Sequence, residues 1–217
     1  MRLMAVMAHP DDAEIWCGGT LILHAQKGDA VRICILSYTP ESVRGQEAQE
    51  GARRMGCDVE FLGLEDAAIR DTDEAGKKLR KSIDLFQPDT IITHWYDDMH
   101  PDHEATFHLV RRVLTYHFLV NSIRDYTDIP RIFCCDTYAS FGLRGSFKAD
   151  KFVDVTDIWD KKIAAINAHQ SQPLAFFLDL IDSQCRTQGQ AAGTERAEGF
   201  LYLPLFGRPD DGEPLGT

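Results

Sequence analysis

Two tetrapeptides concentrate side chains able to bind a metal ion and move protons: His9-Pro10-Asp11-Asp12 and His100-Pro101-Asp102-His103. Metal-assisted hydrolysis needs about three protein ligands and an open position for water, and histidine with carboxylate is a common ligand set. The two loops supply that set if the fold brings them together. Each also has a purely structural reading. Asp11 or Asp12 suits the N-cap of a following helix, because aspartate accepts the free backbone N–H groups there. The second tetrapeptide also describes the start of a helix with an acidic residue in its first turn and histidines on its surface. Both structural readings must hold together if neither loop carries chemistry.

The elements around the loops decide whether they can meet. Residues 3–8 form a short apolar run suited to a buried strand, and it stops at His9-Pro10, where proline removes a ladder donor. Ile15, Leu21, Ile22 and Ala25 then recur at helical spacing within residues 13–27, ahead of Gly28, a natural helix stop. The same order repeats: strand 31–38, helix 44–55 closed by Gly56 and weakened by Gly51, strand 58–62, helix 74–86, strand 90–94 and helix 104–119. Strands at 131–138 and 152–155 and helices at 158–169 and 174–188 follow. Alternation of this kind implies βαβ units and predicts an α/β fold, a three-layer Rossmann-like sandwich with a largely parallel sheet. In such sheets ligands bind beyond the carboxyl ends of the strands, where strand order reverses. Both tetrapeptides follow predicted strands and fall on that edge.

At 217 residues the chain suits one domain, 1–217, with a loose Gly-, Pro- and Asp-rich tail expected from about residue 206. A composition of 44% hydrophobic and 26% charged residues is that of a soluble globular protein. The net charge of -11 repels a phosphate backbone, which argues against general nucleic-acid binding. No apolar run is long enough to span a bilayer, and the start lacks a basic segment followed by a long apolar one. The six cysteines, at 17, 34, 57, 134, 135 and 185, form no C-x-x-C pair and read as reduced core residues. Together these features point to the cytoplasm. Oligomeric state stays open, a homo-oligomer among the options.

The segments AHPDDAEIWCGGT, residues 8–20, and HPDH, residues 100–103, resemble the paired signatures of the PIG-L/LmbE family of zinc-dependent N-deacetylases. The order of elements resembles that family along nearly the whole chain. The resemblance implies a Rossmann-like fold and removal of acetyl or related acyl groups from amino sugars and their conjugates, including precursors of low-molecular-weight thiols. Position by position, it implies that His9, Asp12 and His103 bind zinc and that Asp11 is the general base. Chemistry agrees, because a divalent zinc ion acidifies water and an unligated carboxylate beside it can carry the proton. His100, if protonated, could stabilise the oxyanion or donate a proton, and Asp102 would orient an imidazole and favour its charged form. Glu14 is a further supporting partner.

Arg44 resembles a family position that meets substrate hydroxyls, with a surface pair to Glu47 as the alternative. Asp66 stands where relatives carry an Asp-Gly pair, and Ala67 departs from that pattern. His169 also echoes the family, yet a histidine near a helix end could simply favour the helix dipole. Gly18-Gly19 lacks the spacing and lysine of a phosphate cradle, so close backbone approach explains it better. Trp16, Trp95 and Tyr96 suit either a sugar pocket or the core.

A His-Asp-His set would also accept Fe2+ or Co2+ and resembles the facial triad of iron oxygenases, but a second carboxylate beside the ligand serves hydrolysis and not oxygen chemistry. Two further alternatives are an amidase acting on thiol conjugates or another small acyl amide, and a non-catalytic metal- or sugar-binding protein. The expected partner is a small N-acylated molecule.

Overall fold

A computed structural model describes residues 1–120, 129–209 and 215, with backbone alone for residues 117–120. Among the described residues seven strands run in chain order: β1 (Arg2–Met7), β2 (Ala30–Ser37), β3 (Asp58–Leu64), β4 (Thr90–Thr93), β5 (Arg131–Cys135), β6 (Lys151–Asp154) and β7 (Ala197–Leu203). Six helices accompany them: α1 (Asp12–Gln26), α2 (Val43–Met55), α3 (Asp73–Phe86), α4 (Pro101–Val120), α5 (Trp159–Ile166) and α6 (Leu174–Ala192). The sheet order is β3-β2-β1-β4-β5-β7-β6, and β3 through β5 are parallel. The sandwich is the predicted α/β architecture, mixed at one edge.

Alternation along β1 and β2 builds both faces. Leu3, Ala5, Met7, Val31, Ile33 and Ile35 share one core with Trp16 and Leu21 of α1, Ala52 and Met55 of α2, Ala165 of α5 and Ile181 of α6. Met4, Val6, Cys34 and Leu36 face the other core with Leu79 and Ile83 of α3 and Leu109 and Val113 of α4. Because β1 lies between β2 and β4, the crossovers on its two sides leave for opposite faces. The loops after β1 and β4 therefore open into one crevice, the switch point where an open parallel sheet binds ligands.

Several elements differ from the sequence expectation. The strand β7, which the pattern did not reveal, pairs antiparallel with both β5 and β6, and Glu198 and Gly199 interrupt its apolar run. Glu198 is buried there because Lys162 and the backbone N–H groups of Gly19 and Thr20 meet its carboxylate at 2.5, 2.8 and 2.8 Å. A Cβ on Gly19 would lie 2.5 Å from Val155, so the Gly-Gly pair does serve close approach, though to Val155 and Glu198 and not to the site. The strand expected over 131–138 stops at Cys135. Asp136 takes the Thr137 N–H and the Ser140 hydroxyl and folds the chain into a 3-10 turn, Tyr138–Ser140. The helix expected over 158–169 likewise ends at Ile166, leaving His169 beyond it.

All six cysteines are free, as a reduced core requires. Among the described residues no helix is long and apolar enough to cross a membrane. Of the expected tail, Leu205–Gly207 form a 3-10 turn, Arg208 and Leu215 are buried, and 210–214, 216 and 217 lie outside the described residues.

Candidate active site

The first tetrapeptide turns the chain from β1 into α1. Asp11 sits at the helix N-cap with φ 98°, a left-handed conformation that a non-glycine residue adopts at a cost of order 1–3 kcal/mol. Its side chain makes no cap hydrogen bond, which removes the capping reading for Asp11. The strain turns its carboxylate to Arg44, whose guanidinium donates to Asp11 Oδ1 at 3.0 Å and to the Pro10 carbonyl at 2.8 Å. The alternative pair of Arg44 with Glu47 does not form; Glu47 instead accepts from the N–H and hydroxyl of Ser171.

Asp12 is the centre of the cluster. Its carboxylate accepts the His9 N–H at 2.7 Å and lies 3.2 Å from His9 Nδ1 and 3.3 Å from His103 Nε2. Burial opposes its ionisation, but the neighbouring His103, His94 and His9 hold its pKa well below the usual range. The second tetrapeptide opens α4, with Pro101 in the first turn, where its missing N–H costs nothing. The helix thus starts three residues before the predicted boundary, and this places His103 one turn in, with its ring against Asp12.

Each prospective histidine ligand is oriented from behind. His103 Nδ1 lies 2.9 Å from Asp98 Oδ2, and His9 Nε2 lies 3.2 Å from Asp102 Oδ2. Those carboxylates take the ring hydrogens and leave His103 Nε2 and His9 Nδ1 with lone pairs facing Asp12. His103 Nε2 is buried without a hydrogen-bond partner. Burial lowers the His103 pKa, yet Asp12 and Asp98 outweigh it and raise it to about 10. The donor set of two imidazoles and a carboxylate fits a divalent metal. Ring nitrogens of His9, His100 and His103 lie within 4.8 Å of one another. A fourth imidazole, His94, also stands within reach of Asp12 and His103, but its Nε2 already accepts the Ala8 N–H at 3.0 Å. It stacks on His103 at 3.7 Å between centroids and supports the cluster.

Asp102 lies against an imidazole, as expected of it, and the ring is that of His9. The Asp102 N–H donates to His100 Nδ1 at 3.2 Å, an N-terminal cap that leaves the ring hydrogen on Nε2. Burial, then the neighbouring His103 and His9, depress the His100 pKa, which favours the neutral ring over the imidazolium. Glu14 lies 3.2 Å from His169 Nε2, and both side chains are buried. His169 thus belongs to the ground behind Asp11 and not to a helix terminus. Burial and Asp12 push the Asp11 pKa up to about 7 against the pull of Arg44 and His169. Asp66 is 43% exposed and lies 3.4 Å from His9 Nε2. Ala67 takes φ 56°, so the Asp-Ala pair keeps the left-handed turn that Asp-Gly would make freely. Trp95 packs on Phe147 within a small core cluster, whereas Trp16 meets Tyr138, whose ring is stacked 6.0 Å from His103. Asp98 and His94 were not foreseen.

Comparison with known proteins follows the same lines. A 4-oxalmesaconate hydratase of Pseudomonas putida is 24% identical over 190 residues, covering 78% of this chain and 73% of that one. A diacetylchitobiose deacetylase of Thermococcus kodakarensis is 24% identical over 224 residues, covering 94% and 83%. The crystal structure of a conserved protein from Thermus thermophilus superposes with a TM-score of 0.80 at 27% identity, covering 94% of this chain and 95% of that one. The family model described as PIG-L, GlcNAc-PI de-N-acetylase, matches residues 4–114, a span that runs from within β1 to within α4 and includes His9, Asp11, Asp12, Arg44, Asp98 and His103, and the chain belongs to that family.

Proposed function

We propose that this protein is a zinc-dependent deacetylase that hydrolyses the N-acetyl group of an amino sugar or a similar small molecule. The observation that carries this reading is Asp11: a carboxylate beside the donor set but outside it, held by Arg44, with its pKa pushed up to about 7. His9, Asp12 and His103 would hold the metal, and Fe2+ or Co2+ would suit the same donors. Zinc, when bound, supplies a Lewis acid that acidifies water and polarises the amide carbonyl. Asp11 takes the proton from the attacking water and returns it to the departing amine, while Arg44 fixes the carboxylate for both transfers. His100 Nε2–H donates to the oxygen that gains charge. His169, buried against Glu14, opposes the rise in the Asp11 pKa.

The Pseudomonas relative favours a second reading, hydration of a small unsaturated acid of the 4-oxalmesaconate kind. The charges argue for the amide. Asp11, Asp12, Asp66, Asp98 and Asp102 surround the crevice and Arg44 is already paired, a field that suits a neutral group better than a polycarboxylate. An amine-release screen over N-acetylated amino sugars and thiol conjugates, run beside an absorbance assay for hydration, tests both. Release that a chelator abolishes and zinc restores is expected, and Asp11→Ala should keep the metal but lose about 10²-fold or more in kcat. Hydration without amine release would replace this reading with the second, and an Asp11→Ala enzyme at full rate would show the base misassigned.

A further inference from the structure

Backbone strain is not confined to the metal cluster, where Asp11 takes φ 98°; it recurs at the rim beside it. Tyr38, directly after β2, has φ 60°, a conformation that is a genuine outlier for a bulky side chain. Next to it the β2–β3 ladder slips between Ile35 and Ser37, with an extra β3 residue in the bulge and Gly63 at φ 66°. Ala67, across the crevice, adds φ 56°. Bulges beside a site re-aim side chains, and strain held at several neighbouring positions persists only where the surroundings impose it.

These distortions have one shared result. The Tyr38 hydroxyl donates to Asp66 Oδ2 and accepts from Arg44 Nη1 at 3.2 Å, and the guanidinium carbon lies 4.9 Å from the Tyr38 ring centroid. Arg44 leads on to Asp11, and Asp66 leads on to His9. The hydroxyl is thus the link between the base side and the metal side of the crevice. Unlike the buried groups beneath it, the Tyr38–Asp66 pair lies open to solvent. A phenol donor beside a carboxylate acceptor presents the two halves of a hydrogen-bonding match for an alcohol.

We propose that Tyr38 is a specificity-determining residue of this site: its hydroxyl exchanges its bond to Asp66 for bonds with a hydroxyl of the substrate, selecting sugar-like amides over plain ones. The proposal rests on the deacetylase reading. It also gives a reason for a tyrosine where glycine would relieve the backbone.

The test compares the zinc-loaded wild type, Tyr38→Phe and Asp66→Asn on N-acetylglucosamine and on N-acetylcyclohexylamine, which has the amide and the ring but no hydroxyls. The measured quantity is the ratio of the two kcat/KM values, in which any loosening of Arg44 on the base cancels. The ratio is expected to fall about tenfold in Tyr38→Phe, as for loss of one hydrogen bond, through a higher KM on the sugar. It should fall in the same direction in Asp66→Asn, with melting temperatures showing all three proteins folded. A Tyr38→Phe enzyme with the wild-type ratio overturns the role of Tyr38 alone. A wild type that releases no amine from either compound overturns the deacetylase reading and this assignment with it.

Discussion

Asp11 and Asp12 are neighbours of the same chemical type, and their surroundings divide the work between them. Three imidazoles hold Asp12 ionised, which suits the ligand role proposed for it, whereas Asp11, buried beside that charge, has a pKa pushed up to about 7, where a carboxylate can take and return a proton. The residue types and their order made both tetrapeptides legible. The partners behind them were not legible, because they depend on where α4 begins relative to β1. Starting at Pro101 sets Asp102 against His9 and leaves Asp98, outside the tetrapeptide, to hold His103. Asp98 also accepts the His100 N–H at 2.8 Å, so one carboxylate holds both the ring of the proposed ligand His103 and the backbone of the proposed oxyanion donor His100. Asp98→Asn keeps the shape but cannot take the ring hydrogen in the same way, and zinc affinity measured by chelator competition should fall about 10- to 100-fold. Wild-type affinity would show that His103 needs no such support.

At the scale of elements, glycine and left-handed residues record where the fold is stretched to build the site. Gly51, which weakened the helix prediction for α2, is there because a Cβ would stand 2.1 Å from Glu14 Oε1 and 3.2 Å from His169 Nε2. Alanine would gain about 1 kcal/mol of helix propensity and lose more to that clash, so Gly51→Ala should destabilise by about 1 kcal/mol or more in urea titration. A stabilised variant would mean that Glu14 and His169 have room to move. Ala67→Gly should act in the opposite sense. It removes the left-handed penalty of Ala67, and the urea midpoint should rise by the equivalent of about 0.5–1 kcal/mol. A lower midpoint would contradict the strained turn. The strong periodic segments, β1 to α4, were readable because propensity, pattern and stop signals agree there. β7 was not, since the buried Glu198 that breaks its pattern is satisfied only by Lys162 and α1, contacts that a local pattern does not contain.

For the molecule as a whole, strand order does what no single element can: it sets the ends of β1 and β4 side by side, though His9 and His103 are far apart in sequence. The opposite edge of the sheet carries a separate acid sensitivity. His24 is buried, and burial depresses its pKa below 6.5 despite Asp29 at 2.7 Å. As pH falls through 6.5 the unfolded chain binds a proton that the folded chain refuses, so stability drops in that window. The Asp29 pKa is also depressed, because its bonds to the N-terminal amine and to His24 outweigh burial, and its contribution is lost only below 3.8. His24→Gln should therefore lose less melting temperature than the wild type between about pH 7 and about pH 5, and equal losses would contradict the assignment. The central claim is that His9, Asp12 and His103 share one divalent ion, and it is tested most directly by metal stoichiometry after equilibration with zinc and removal of the excess. One ion per chain is predicted for the wild type and none for Asp12→Ala. A wild type that retains no zinc, or an Asp12→Ala protein that retains a full equivalent, would contradict it.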